Sequence, residues 1–296
     1  MRDRRNLHGM ALVCSACLLG LLISNAAKAA VTQSFQQTGQ LNVEFLANAG
    51  GNFQFTNGTF TLTQTNGPVV KAFLYAADFN SGGAPDLTLN SQAIAPVSVA
   101  TDTEVNGTML GYRWDVTNFI APLSVNNYVI GQGIPGNQLT AVGLLVVYQT
   151  TSGPSRQVTI HDGIEQVGVN SGVMDTKNFI FSNITAGSTD VWTFTGYDSI
   201  NNSNNPPTET GETVTWNGTN VGGPMDADIG FNTSLEKGTA TSVTGNNTLS
   251  VKTGPAPVDN FGVIAAVSMV TIPEPSTALL LGGACLICVC RRGRGQ

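Results

Sequence analysis

Val69-Val70-Lys71-Ala72-Phe73-Leu74-Tyr75-Ala76-Ala77 is apolar at every position but one, and Leu139-Thr140-Ala141-Val142-Gly143-Leu144-Leu145-Val146-Val147-Tyr148 is nearly as continuous. Both runs read as central strands of a sheet covered on its two faces. Around them the pattern changes to alternation. In Asn52-Phe53-Gln54-Phe55-Thr56 the phenylalanines face one way and the polar residues the other, and Thr59-Phe60-Thr61-Leu62-Thr63 repeats this. Asn57-Gly58 between them fits a tight reversal, so 52–63 is expected to be a hairpin. Further strands are expected at 112–116, 128–130, 157–160, 179–184, 191–197, 213–216 and 261–272. No stretch between 31 and 272 carries the apolar stripe of a helix of three or more turns. The expected fold is all-β, a β-sandwich or jelly-roll-like body, in one double layer. The stretch 199–211, which has no apolar pattern, is expected to be a solvated loop, either an insertion or a subdomain boundary.

Charge and cysteine divide the chain into three parts. The body, 30–272, has no cysteine and sets six basic residues against seventeen acidic ones, a net charge of −11. Such a surface repels nucleic acid and anionic lipid at long range. Without thiols the fold must rest on apolar burial alone, and a reductant is expected to leave it unchanged.

At the N-terminus, Arg2, Arg4 and Arg5 precede an apolar run from Met10 to Ile23 and then small residues. This is the pattern of a secretion signal. Ala27 and Ala29 are small where a signal peptidase requires it, so cleavage is expected before Ala30, with 1–29 as the signal peptide. At the C-terminus, Pro273-Glu274-Pro275-Ser276 precedes an apolar stretch from Ala278 to Val289, closed by Arg291, Arg292 and Arg294. Ser276 can cap a helix starting there. The 14 residues 277–290 would rise ~21 Å against a hydrocarbon core of ~30 Å, so this is a short transmembrane helix. Arginines beyond both apolar segments stay inside, which leaves the body outside and the precursor anchored in the inner membrane.

The order Pro273-Glu274-Pro275-Ser276, apolar segment, arginine cluster resembles the PEP-CTERM sorting signal of Gram-negative bacteria. The resemblance implies that an exosortase, a membrane cysteine transpeptidase, processes segment 273–296 at the Pro-Glu-Pro motif. It also implies a link to exopolysaccharide and biofilm. The tail departs from the family's pattern in Cys285, Cys288 and Cys290, which open the option of lipidation. Ala72-Phe73-Leu74-Tyr75, Tyr112-Arg113-Trp114-Asp115-Val116-Thr117 and Gly143 to Tyr148 before His161-Asp162-Gly163 resemble DUF3344-like surface modules, as does Met225-Asp226-Ala227-Asp228-Ile229-Gly230. That family brings no established activity.

Little in the body points to chemistry. His161 is its single histidine, and no Gly-x-Ser-x-Gly elbow accompanies it. His161-Asp162-Gly163 reads as a turn. No cofactor is expected. Calcium is the one metal worth considering. Asp78, Asn80 and Asp86 place oxygen ligands around a Gly pair, and Asp226 and Asp228 form an i,i+2 pair, which could equally be charges guarding a sheet edge. Lys71 sits inside an apolar strand on the face of Val69, Phe73 and Tyr75. It either joins an asparagine in an isopeptide bond or lays its stem on the sheet with its ammonium in water. Arg113 and Asp115 share a strand face and are expected to form a charge pair. Asn57, Asn106, Asn183, Asn201, Asn217, Asn232 and Asn246 begin Asn-x-Ser/Thr triplets, which are turn chemistry as much as acceptor sites.

The expectation is a non-enzymatic exported cell-envelope or extracellular-matrix protein, at the cell surface after processing. Its expected partners are signal peptidase, an exosortase-type enzyme and exopolysaccharide, and nucleic acid is excluded. A carbohydrate-binding module would instead need Trp114, Trp192, Tyr197 and Trp216 on an exposed face. A secreted hydrolase is the weakest reading.

Overall fold

The computed structural model describes residues 30–49, 55–63, 67–79, 85–103, 107–120, 127–132, 139–168, 174–196, 212–223, 233–254 and 260–273. The expected signal peptide, the anchoring helix and the loop at 199–211 lie outside them. The described residues form eighteen strands in four antiparallel sheets.

A first inner sheet holds, in order, β2 (Leu41–Ala49), β10 (Leu139–Gln149), β4 (Val69–Phe79), β8 (Met109–Asp115) and β7 (Ser98–Asp102). A first outer sheet holds β3 (Asn57–Thr61), β9 (Asn127–Gln132), β5 (Leu87–Leu89) and β6 (Gln92–Ile94). The second inner sheet runs β1 (Thr32–Gly39), β11 (Arg156–Gly168), β18 (Asn260–Thr271), β13 (Gly187–Gly196) and β16 (Thr233–Ser242). The second outer sheet runs β12 (Thr176–Ile184), β17 (Gly245–Lys252), β14 (Thr213–Trp216) and β15 (Thr219–Gly222).

Three apolar layers bond these sheets into a stack. On β4, Ala72, Leu74 and Ala76 pack under the first outer sheet, with Phe60, Leu87 and Ile130. Phe73, Tyr75 and Ala77 point the other way, against Ile160, Phe194 and Val267 of the second inner sheet. On β18, Ala265, Val267 and Met269 join that central layer, while Ala266 and Val270 pack with Phe181, Trp216 and Leu249 of the second outer sheet. The continuous apolar runs are therefore strands covered on both faces, as their sequence implies. The expected double layer is corrected to four. In a double layer each sheet turns one face to water, whereas β4, β10 and β18 have no polar face to offer. Two sandwiches stand back to back. One is built from residues 41–149, the other from 32–39 and 156–271, and the chain crosses between them at residue 40 and again at 150–155.

The expected hairpin at 52–63 is also corrected. Asn57 and Gly58 lie inside β3, paired with Gly131 and Ile130 of β9, which comes seventy residues later. Gly58 is there for space. A Cβ would stand 2.5 Å from Asn48 Nδ2 and 3.0 Å from the Phe55 ring. The tight Asn-Gly reversal falls at Asn217-Gly218, with φ of 48° and 80°, between β14 and β15. This is the type I′ geometry that Asn-Gly favours.

Candidate functional site

Two places unite residues that the sequence singles out. The first is a polar seam between the inner sheets. His161-Asp162-Gly163 is not a turn but the middle of β11. The Asp-Gly pair is absorbed by a β-bulge, where the register to β18 shifts between Asp162 and Glu165. Gly163 has φ +153°, and a Cβ there would lie 2.5 Å from the Ala30 carbonyl oxygen. The strand therefore continues under the incoming N-terminal segment, and His161 and Asp162 face opposite layers.

Asp162 is buried and faces the first inner sheet. Its Oδ1 accepts from Arg113 Nη1 at 2.6 Å, and its Oδ2 from Tyr75 Oη at 3.0 Å and Ser34 Oγ at 2.5 Å. Burial, then the neighbouring Asp162 charge, holds the Tyr75 hydroxyl well above its ordinary pKa. Arg113 therefore pairs with Asp162 across the sheets and not with Asp115, its neighbour along β8. Asp115 takes Lys71 instead, Nζ to Oδ2 at 2.5 Å, which places Lys71 in an ion pair with a carboxylate. Burial alone would raise the Asp115 pKa, but the bonds from Lys71 and Thr117 outweigh it and the net shift is downward. Both cations lie about 5 Å from the Phe73 ring centroid, Lys71 at 5.1 Å and Arg113 at 5.0 Å.

His161 faces the second outer sheet. Its ring stacks on Phe181 at 4.0 Å between centroids and 24° between planes, and Phe181 meets Trp216 edge-on at 5.0 Å. Burial lowers its pKa from 6.5 to about 4, against a smaller raising effect of Asp162. Among the described residues its Nε2 meets no hydrogen-bond partner. A neutral imidazole stacked in a core is poorly placed to exchange protons with a substrate.

The calcium candidates divide. Asp78 is buried at the end of β4, Asp86 is exposed, and Asn80, Asp226 and Asp228 lie outside the described residues. Among the described residues no three His, Cys, Asp or Glu side chains are grouped to hold a metal ion. The aromatic candidates are interior: Trp114 and Trp216 are fully buried and Trp192 nearly so, while Tyr197 lies outside the described residues. Trp114 packs with Tyr112 under the first outer sheet, and Trp216 in the layer of Phe181.

The second place is the exit of the chain. β18 is the middle strand of the second inner sheet, paired with β11 on one side and β13 on the other, and Thr271 aligns with both Arg156 and Ser188. The ladder ends one residue later, where Ile272 N donates to Ser155 O at 2.9 Å. Pro273 follows and is exposed. Proline has no N–H to donate, so the sheet stops at the residue where the motif starts. Residues 271–294 match a family model for protein sorting. They form a PEP-CTERM protein-sorting motif.

The PEP-CTERM match begins at the last residue of β18 and includes Pro273, Glu274, Pro275, Ser276, Arg291, Arg292 and Arg294. It implies an exported protein whose precursor is held at the membrane by its C-terminus and sorted by an exosortase. Beyond Pro273 the PEP-CTERM residues lie outside the described ones, as do Ala27 and Ala29. Ala30 is exposed and Val31, next to it, is buried among Phe179, Val263 and Ala266. No helix among the described residues is long and apolar enough to cross a membrane.

No curated protein matches the sequence. Similar solved structures include BpGH86A, a β-porphyranase of glycoside hydrolase family 86 from the human gut bacterium Bacteroides plebeius. It is 13% identical with a TM-score of 0.28, over 86% of this chain, which spans only 38% of the porphyranase. The ANX2 ectodomain from Arabidopsis thaliana is 9% identical, TM-score 0.28, over 84% of this chain and 95% of its own. PNGase F, a glycosylasparaginase from Flavobacterium meningosepticum, is 13% identical, TM-score 0.23, over 80% and 96%. These scores lie below the level of a shared fold.

Proposed function

We propose that the chain is a non-enzymatic cell-envelope or extracellular-matrix protein, delivered to the surface by its PEP-CTERM tail and associated there with exopolysaccharide or biofilm. Signal peptidase cuts before Ala30. The apolar stretch from Ala278 to Val289, with Arg291, Arg292 and Arg294, holds the precursor in the inner membrane. An exosortase-type enzyme then cuts within or beside Pro273–Ser276. The observation that carries this reading is the position of the motif: the ladder of β18 closes at Ile272, and a cut at any later bond removes none of its hydrogen bonds. The prolines keep the segment extended, the form in which a transpeptidase threads its substrate, and Glu274 supplies one charge between them. The stacked, buried His161 supports a body without hydrolytic chemistry.

Mass spectrometry of the mature C-terminus, in a host with and without its exosortase, tests this. The competent host should yield a body ending near 273–276, and the deficient host a chain ending at Gln296. Glu274→Ala should leave export intact but slow processing several-fold, with a membrane-retained form heavier by the tail. A wild-type chain that still ends at Gln296 in the competent host sinks the proposal.

A further inference from the structure

The layer between the second inner and second outer sheets is mostly apolar, but one patch of the inner sheet beneath it is not. Residues directly opposite one another on β11, β18 and β13 share a face. Two successive rows there read Thr159, Ser268, Val191 and His161, Ala266, Thr193. All six are buried, and four of them are polar. Val191 and Ala266 pack with Phe181, Trp216 and Leu249, so the patch faces the second outer sheet.

Three polar atoms of the patch have no hydrogen-bond partner among the described residues: Nε2 of His161, Oγ1 of Thr193 and Oγ of Ser268. Their polar neighbours on the same face are served. Thr159 Oγ1 accepts from Gln36 Nε2 at 3.1 Å, Gln157 Nε2 donates to the Asn183 carbonyl at 2.8 Å, and the Thr189 hydroxyl lies 2.5 Å from that of Ser242. The opposing sheet brings apolar side chains to this layer, Phe179, Phe181, Val214, Leu249 and Val251 among them. The indole N–H of Trp216 is already donated to Ser242 at 3.2 Å.

The three atoms surround one small side chain. His161 and Thr193 flank Ala266 from either side, two strand spacings or about 10 Å apart along the row, and Ser268 follows Ala266 on the same face of β18. A threonine hydroxyl is too short to cross that distance to an imidazole, and only a methyl group stands between them. The set is also uncharged, because burial keeps the imidazole neutral with its pKa lowered to about 4. A buried water makes about three hydrogen bonds, and two hydroxyls and an imidazole nitrogen supply that number.

We infer that the second inner sheet carries an internal water site over Ala266, where one water molecule bonds His161 Nε2, Ser268 Oγ and Thr193 Oγ1. Each of these residues comes from a different strand, so the site is complete only when β18 has closed between β11 and β13. The water then ties the three middle strands together, and it exchanges only when the outer sheet lifts.

Crystals of the protein purified from its host, at a resolution that shows ordered waters, should reveal a peak over Ala266 within about 2.7–3.2 Å of all three atoms. Anything less, whether a dry patch or the three atoms bonded to one another, overturns the inference. Oxygen-17 magnetic relaxation dispersion reads long-lived water in solution without interference from exchanging hydroxyl protons. Ala266→Val fills the ground between the ligands and should lower the dispersion amplitude by the share of one water molecule. Ser268→Ala combined with Thr193→Val removes two ligands at nearly constant shape and should do the same. Circular dichroism shows which variants fold as the wild type does, and an unchanged amplitude in such a variant overturns the inference. If neither variant folds, the wild-type crystal decides it.

Discussion

Replacing Asp162 with alanine is expected to cost the body about 3–5 kcal/mol, the range for removing one partner of a buried ion pair. Asp162 is the countercharge of Arg113, and it also accepts from Tyr75 and Ser34. Without it the Arg113 guanidinium, mostly screened from water, faces an apolar layer, and the Tyr75 hydroxyl is left in a core from which water is excluded. The three partners sit on β8, β4 and β1, so the loss is felt in both sandwiches at once. Folded domains are stable by only about 5–15 kcal/mol, and a change of this size should move a urea midpoint plainly. Asp162→Asn keeps the shape and two acceptor contacts and should cost less. A midpoint unmoved by Asp162→Ala would mean that the seam adds nothing to stability.

The second large effect is acid sensitivity from His161. Its folded pKa is about 4 and its unfolded value near 6.5, so between those pH values the unfolded chain binds a proton that the folded one refuses. Stability is therefore complete above pH 6.5 and falls as pH drops towards 4. The shift corresponds to a loss of about 3 kcal/mol across the window. His161→Phe should stack on Phe181 as the imidazole does and flatten this part of the profile. Urea midpoints of both proteins at pH 7.5 and 4.5 give the comparison. Parallel profiles would show that other groups, among them the paired carboxylates, dominate the acid limb.

Much of this fold is legible in the sequence, because burial writes itself into composition. The runs at 69–77 and 139–148 have no polar face and lie in covered sheets, and the closing run 261–272 is β18 with its end within a residue of expectation. Alternation located β8, β9, β12 and β14 equally well. Long-range pairing was not legible. Nothing local tells Gly58 that its partner is Ile130 and not Phe53, so a good turn dipeptide reads as a turn. The same holds for His161-Asp162-Gly163, where Asp and Gly serve a bulge. The crossing at 150–155 does carry a signal, the Gly153-Pro154 pair directly after an apolar strand, but such pairs occur in many turns. Arg113 and Asp115 show the limit most clearly. They share a strand face, yet each finds its countercharge elsewhere, Arg113 in the other inner sheet and Asp115 on β4 beside it. The tail needed no tertiary information, since its order of proline, apolar and basic residues is itself the signal.

The central place of β18 bears on the timing of export. Its partners on β11 lie far back in the chain, with Thr271 opposite Arg156, 115 residues earlier. It is also the last of the described strands to become available as the chain is exported. Until it emerges, β11 and β13 have nothing between them, and the second sandwich cannot close. The second sandwich therefore stays open until the end of the body is available, with the slow kinetics typical of non-local β pairing working in its favour. Once residue 271 is through, zipping β18 into both neighbours makes the passage one-way: a closed sandwich cannot slip back through a channel that admits only an extended chain.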